Sequence, residues 1–336
     1  MEILGLHVGL DYSDAFVRVC VLDQQGQQVA NRDCANDWRA IQAFAERHGA
    51  VREAAIESCT GAANLAEELV SKAGWSVALA HPGYVARIKQ SPDKSDFHDA
   101  RLLADLVRVG YLPRVWMAPE NVRELRRLVR YRHDLAKQRR NVKLQIRALL
   151  RDQRCTAPLL GKPWTKGWMT WLLHEAKVSE QSRYLIGKHV RRLGQLAEDI
   201  KEVEDRLAEL TANDAVVKEL MQQPGIGPVT AWTLRAEIGR FDRFRTGKQL
   251  ARFVGLSPRN ASSGQRQADA GLIQAANPEL RALLIEAAHR LGRLHPQWRA
   301  LRDRLSRKGK PGSVIAAAIA NRWVRSLFHA MRRIAA

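Results

Sequence analysis

The sequence predicts an α/β domain followed by an all-helical remainder, and three observations carry that reading. Strand-like and helix-like runs alternate over the first 115 residues. Apolar heptads follow within two long helical stretches. From about residue 218 helical periodicity resumes, broken by Gly and Pro. At about 100–200 residues per domain, length suggests two or three domains. The pattern places them at 1–115, 116–217 and 218–336.

Residues 3–10 read as a buried strand ending at Asp11, and 15–22 alternate as a second. Asp23-Gln24-Gln25-Gly26 turns into a third near 27–33. Asn36 is placed to cap a helix over 37–48. Residues 52–56 form a short strand ending at Glu57, a helix runs on to Ala73, and Trp75–Ala80 is a strand closed by His81-Pro82-Gly83. A meander followed by α/β alternation predicts a mixed sheet flanked by helices. In the first long helix Leu128, Leu135, Val142 and Leu149 recur every seven residues. In the second, Ile186, Leu193, Ile200 and Leu207 take one seam position, and Leu196, Val203, Leu210 and Val217 the other, which is coiled-coil patterning. Between them Trp164, Trp168 and Trp171 are expected to close the hairpin as an apolar face, with base stacking as the alternative.

The charge is localised. Residues 121–154 hold 12 Lys+Arg and 3 Asp+Glu, and residues 290–336 hold 12 Lys+Arg and one acid, Asp303. Together these two segments account for the whole net charge of +20. One-signed blocks on a folded chain point to a polyanion, and nucleic acid fits better than an anionic membrane because the basic segments lack a wide apolar face. Arg139, Arg140 and Arg147 are the candidate contacts of the first block. No apolar run reaches the roughly 18 residues of a membrane span. Cys20, Cys34, Cys59 and Cys155 include no CxxC pair. That argues against a zinc finger or a disulfide scaffold and, with no secretory leader pattern, fits a reducing cytoplasm.

Four acids stand in an order that suits metal chemistry. Asp11 and Glu57 end two strands expected to be neighbours, and Asp96 and Asp99, at i and i+3, share one face of a helix. Such an all-oxygen set suits Mg²⁺ or Mn²⁺, which could clamp a phosphodiester. Further on, Leu220-x-x-x-Pro224-Gly225-Ile226-Gly227-x-x-x-Ala231 has the grammar of a helix-hairpin-helix. There the backbone N–H groups about Gly225 and Gly227 would cradle a DNA phosphate. Ser263, flanked by Arg259 and Arg266, has no His at triad spacing, so its hydroxyl would need activation by arginine or metal.

Taken together, five motifs resemble the "one-ten" insertion-sequence transposases, the bridge-RNA-guided DNA recombinases. They are Val8-Gly9-Leu10-Asp11, Ile56-Glu57-Ser58-Cys59-Thr60-Gly61, Lys94-Ser95-Asp96-Phe97-His98-Asp99-Ala100, Pro224-Gly225-Ile226-Gly227, and Gly255-Leu256-Ser257-Pro258-Arg259 followed by Ser263-Gly264. The resemblance covers essentially the whole chain. It implies a RuvC-like, ribonuclease-H-type domain, a coiled coil and a small helical C-terminal transposase domain. It also implies that Asp11, Glu57, Asp96 and Asp99 form a DEDD metal tetrad, and that Ser263 attacks DNA to give a phosphoserine link. Its implied partners are a structured non-coding guide RNA, target and donor DNA, and further copies of the chain in dimers or tetramers. The stretch Ala268–Pro278 departs from the family in lacking Lys and Arg, so no phosphate contact is assigned there. The competing expectations are a metal-only nuclease such as a junction resolvase, in which Ser263 is structural, and a nucleic-acid architectural protein.

Overall fold

The computed structural model describes residues 5–88, 96–157, 162–260, 269–273 and 276–334. The chain forms two compact units, Met1–Pro119 and Glu120–Ala336.

The first unit opens with an antiparallel meander of β1 (Leu6–Tyr12), β2 (Phe16–Leu22) and β3 (Gln28–Ala35). The turn between β2 and β3 ends on Gly26 at φ 84°, a conformation that favours glycine. Then follow α1 (Trp38–Glu46), β4 (Val51–Glu57), α2 (Ala62–Ala73), β5 (Val77–Ala80), α3 (Pro82–Ile88), α4 (Asp96–Arg108) and the two-residue edge strand β6 (Arg114–Val115). The sheet order is β3-β2-β1-β4-β5-β6. β4 lies parallel to both β1 and β5, while β6 runs antiparallel to β5. This mixed sheet is compatible with a ribonuclease-H-type domain.

Strand alternation assigns the two faces. Val8, Leu10 and Ile56 pack with Ile41 of α1 and Leu65 and Leu69 of α2. On the other side Cys20 and Leu22 pack with Ala100 and Ala104 of α4. Two local expectations are corrected. The cap of α1 is Asp37, whose carboxylate accepts from the N–H groups of Arg39 and Ala40, whereas the Asn36 side-chain amide donates to the Ser13 carbonyl. His81-Pro82-Gly83 does not end in a turn: it leads into α3, with Pro82 at the first helical position, where its missing N–H costs nothing.

In the second unit α5 (Glu120–Asp152) and α7 (Glu180–Thr211) form an antiparallel hairpin joined through α6 (Lys166–His174). Arg132 donates to Glu204 at 2.7 Å, and Arg192 to Gln138 at 3.1 Å. Leu135 is buried with Leu196 and Ile200, and Ile146 with Ile186. Trp168 and Trp171 are buried in the Ile146–Ile186 cluster, with Trp164 packed against it, so the tryptophans do close the hairpin. Two parts of the heptad reading change. The seam stops at Thr211, because Asp214 caps a new helix by accepting from Val216 and Val217 N–H. Val217 therefore belongs to the next element. Moreover, Leu210 is 48% exposed and drops out of the seam, while Leu196 and Ile200 are covered by Leu135 of α5 in the same chain. An Ile200→Asp change should then open this hairpin directly. Ile200 is 4% exposed, and an unpaired charge there should cost about 3–5 kcal/mol. A urea denaturation midpoint equal to wild type would refute this packing.

The rest of the unit comprises α8 (Ala215–Gln222), α9 (Pro228–Ile238), α10 (Gly247–Phe253), β7 (Pro258–Asn260), β8 (Asp269–Leu272), α11 (Pro278–Leu294), α12 (Pro296–Arg307) and α13 (Gly312–Met331). α9 is buried on nearly every side, its apolar residues in the core and its buried Glu237 held by Arg130. The short antiparallel β7–β8 pair was not expected from the sequence. Among the described residues no helix is long and apolar enough to cross a membrane.

Candidate active site

The carboxyl ends of the two central parallel strands come together. Leu10 of β1 is in register with Ile56 of β4, so Asp11 and Glu57 follow side by side. Leu10 and Ile56 face α1 and α2, and alternation turns Asp11 and Glu57 to the opposite face, where α4 packs. Gly9 makes that packing possible. A Cβ at Gly9 would lie 1.8 Å from the Ala100 carbonyl oxygen and 2.6 Å from Ala104 N. The glycine therefore lets α4 rest directly on β1, with half-buried Asp99 one residue before the contact. Asp96 opens α4, but its side chain lies outside the described residues.

The local field is negative. Burial pushes the Cys59 thiol up, an N–H bond from Ala62 opposes this, and the carboxylates of Glu57, Asp11 and Asp14 push it further up. Gly61, at φ 89°, starts α2 and lies against the ring of Tyr12, whose hydroxyl would be 2.3 Å from a Cβ there. The loop after Glu57 is thereby tied to the end of β1. An all-oxygen donor set in a negative field suits a hard divalent cation. Among the described side chains, no three His, Cys, Asp or Glu groups stand close enough together to hold a metal ion. The structure thus pairs Asp11 with Glu57 at neighbouring strand ends and sets Asp99 on the facing helix.

In the second unit, Ser263 and Arg266 lie outside the described residues. What is described is the frame on either side of them. Pro258 pairs with Leu272, and Asn260 with Asp269. Asn321 of α13 donates to the Leu256 carbonyl at 2.9 Å, and Arg281 of α11 donates to the Ile273 carbonyl at 2.8 Å. Arg259 is exposed on β7. The helix-hairpin-helix pattern forms as two helices, α8 and α9, joined by a tight turn. Gly225 takes φ 80°, Gly227 precedes Pro228 as the cap of α9, and Leu220, Ile226 and Ala231 are buried beneath.

The basic block on α5 divides in two. Arg126 donates to the Ala236 carbonyl at 2.9 Å, and Arg130 clamps the buried Glu237 through bonds of 2.8 and 3.0 Å. Arg132 is taken by Glu204, while Arg123 and Arg127 pair with Glu120. These cations hold α5 against α9 and α7 or cap its first turn, a use that a count of charges could not reveal. Arg139 is half-buried and Arg140 and Arg147 are exposed. None of the three forms an ion pair with a described residue. A sequence reading also passes over Gly9 as a contact. Its only signal is a small residue inside an otherwise bulky strand.

Comparison with known proteins sets the class first. Residues 8–153 match a DEDD family model described as "Transposase", and residues 217–303 match one described as "Transposase IS116/IS110/IS902 family". The chain is 27% identical over 289 residues to the "Probable family 20 transposase" of Pseudomonas aeruginosa, covering 83% of each chain. It is 28% identical over 279 residues to the "Transposase for insertion sequence element IS1328" of Yersinia enterocolitica, covering 81% of each. With the "Transposase for insertion sequence element IS1111A" of Coxiella burnetii it shares 24% identity over 285 residues, 84% of this chain and 77% of the other. The protein is a DNA transposase of a mobile element. It belongs to the IS110 family. Membership in a family named for its DEDD acids suggests dependence on a divalent metal.

Proposed function

We propose that this transposase cuts and rejoins the DNA of its own element through a phosphoserine intermediate, at sites chosen by a structured guide RNA. The observation that carries the reading is the pairing of Asp11 and Glu57 at neighbouring parallel strand ends, on the face where Asp99 approaches. Asp11, Glu57, Asp96 and Asp99 would hold Mg²⁺ or Mn²⁺, which when bound stabilises charge on the transferring phosphate.

The Ser263 Oγ attacks the phosphorus, an Oγ–P bond forms, and the P–O bond to the departing sugar breaks. The hydroxyl proton ends on that sugar oxygen. Strand exchange is the reverse reaction with a different DNA hydroxyl, so bond energy is conserved without ATP. Arg259 and Arg266 flank the serine and favour its alkoxide. The Gly225–Gly227 turn and the open cations Arg139, Arg140 and Arg147 bind phosphates without reading sequence. Assembly into dimers or tetramers through the helical hairpin would bring one copy's acids to another copy's serine.

RNA guidance is supported by the family resemblance and has a direct test. Sequencing the nucleic acid that co-purifies with the protein should return one structured RNA encoded beside its gene. Recombination should stop on ribonuclease treatment and resume when that RNA is restored. Undiminished recombination by ribonuclease-treated protein would overturn this part of the reading.

A further inference from the structure

The C-terminal basic block has an architecture that its composition does not disclose. α11, α12 and α13 meet around a hollow of about 520 Å³. Its polar lining is His289 and Arg293 from α11, Arg302 and Ser306 from α12, then Lys310 and Gly312 at the start of α13. No Asp or Glu is among the described residues that line it.

The hollow depends on close helix packing. Gly292 faces Ile319 and the stem of Arg302, and a Cβ there would lie 3.1 Å from Ile319 Cδ1 and 3.7 Å from Arg302 Cδ. The N-terminus of α13 adds N–H groups that no side chain caps. Arg302 is bound by Asp303 at 2.8 Å, so the open cations are Arg293 and Lys310, both exposed. Lys310 forms no ion pair with a described residue; nor does Arg293, whose Nε–H donates to the His289 carbonyl at 3.3 Å.

α12 also borders a second hollow, lined by Arg304 and Arg307 of α12 and Arg322 of α13, again with no acid among the described residues. A helix with cationic hollows on both sides is matched to a chain of phosphates rather than to one small anion.

We infer that α12 and its two flanking hollows form a phosphodiester-binding surface for duplex DNA, with Arg293, Ser306, Lys310 and the start of α13 holding one backbone phosphate. The inference rests on the chain being a DNA transposase, and on nothing in the phosphoserine or guide-RNA reading. Its test measures binding rather than cleavage, so the two can fail separately.

The experiment measures affinity of the full chain for a labelled duplex of arbitrary sequence across a salt series, by fluorescence anisotropy. The double variant Arg293→Gln, Lys310→Gln should weaken binding about tenfold and reduce the salt slope by about 2. Arg304→Gln, Arg307→Gln should act similarly from the second hollow. The double variant Arg332→Gln, Arg333→Gln removes the same charge from exposed positions outside both hollows, and should change the slope by less than about 1. Melting temperatures within experimental error of wild type establish that all three variants are folded.

Equal losses in all three would reduce the effect to overall charge and overturn the site, as would wild-type affinity in the first two. A change confined to an RNA duplex would overturn the assignment to DNA. Inorganic phosphate at constant ionic strength should displace the duplex no better than chloride. Displacement at millimolar phosphate that disappears in Arg293→Gln, Lys310→Gln would make the hollow a free-anion site instead.

Discussion

Asp11→Asn is expected to abolish DNA strand cleavage while leaving the fold and nucleic-acid binding intact. Asn keeps the shape of the side chain and loses its charge. Asp11 is half-buried at the end of a strand whose other side is packed in the core, so β1 should remain in place. What disappears is an anionic oxygen beside Glu57, at the point where α4 is pressed onto Gly9. If a cation there contributes about 4 kcal/mol of transition-state stabilisation, its loss lowers the rate about 10³-fold. Cleavage of a labelled DNA substrate in Mg²⁺, with a parallel reaction in EDTA, measures it. Full activity in the variant, or of wild type in EDTA, would remove the metal-site assignment.

Ser263→Ala is expected to eliminate the covalent protein–DNA adduct and recombination, and to leave DNA binding, RNA binding and assembly unchanged. The substitution deletes one oxygen, no charge and little volume. A serine hydroxyl is a weak nucleophile unless it is activated, so no neighbouring hydroxyl should replace it. Ser262 is the internal control: Ser262→Ala should retain at least part of the activity. Each variant is trapped on a suicide DNA substrate and resolved on a denaturing gel before and after protease. An adduct formed by Ser263→Ala would assign the nucleophile elsewhere. Cleavage by wild type without any adduct would make water the nucleophile and the protein a metal-dependent nuclease.

The order of the first five strands with α1 and α2 was legible in the sequence because each signal is local, whereas α3 and the two-residue edge strand β6 were not read from it. A nearly continuous apolar run marks β1, alternation marks β2, Gly26 marks the turn, and acids close the apolar runs at Asp11 and Glu57. Two boundaries misled for equally local reasons. Asn36 and Asp37 are adjacent residues that can both cap a helix, and the packing of Asn36 on Ser13 decides between them. Pro82 begins a helix as readily as it ends a strand.

Local pattern also located the basic blocks, the apolar seams and the Pro224–Gly227 turn. The i, i+3 spacing that sets Asp96 and Asp99 on one helix face was legible in the same way, because each of these is written in consecutive residues. Tertiary structure alone decided what those features touch. Of Asp11 and Glu57, 46 positions apart and expected on neighbouring strands, it fixed the parallel register that sets their strand ends level. It used five of the nine α5 arginines against α9, α7 and Glu120, and left Arg140 and Arg147 exposed. It also packed Leu196 and Ile200 of the α7 seam against α5 within the chain, and formed beside α12 a hollow with no acid among its described lining residues. The physical reason is that local sequence determines backbone preference and which face is apolar, whereas charge pairing and cavity shape depend on residues that meet only when distant segments pack.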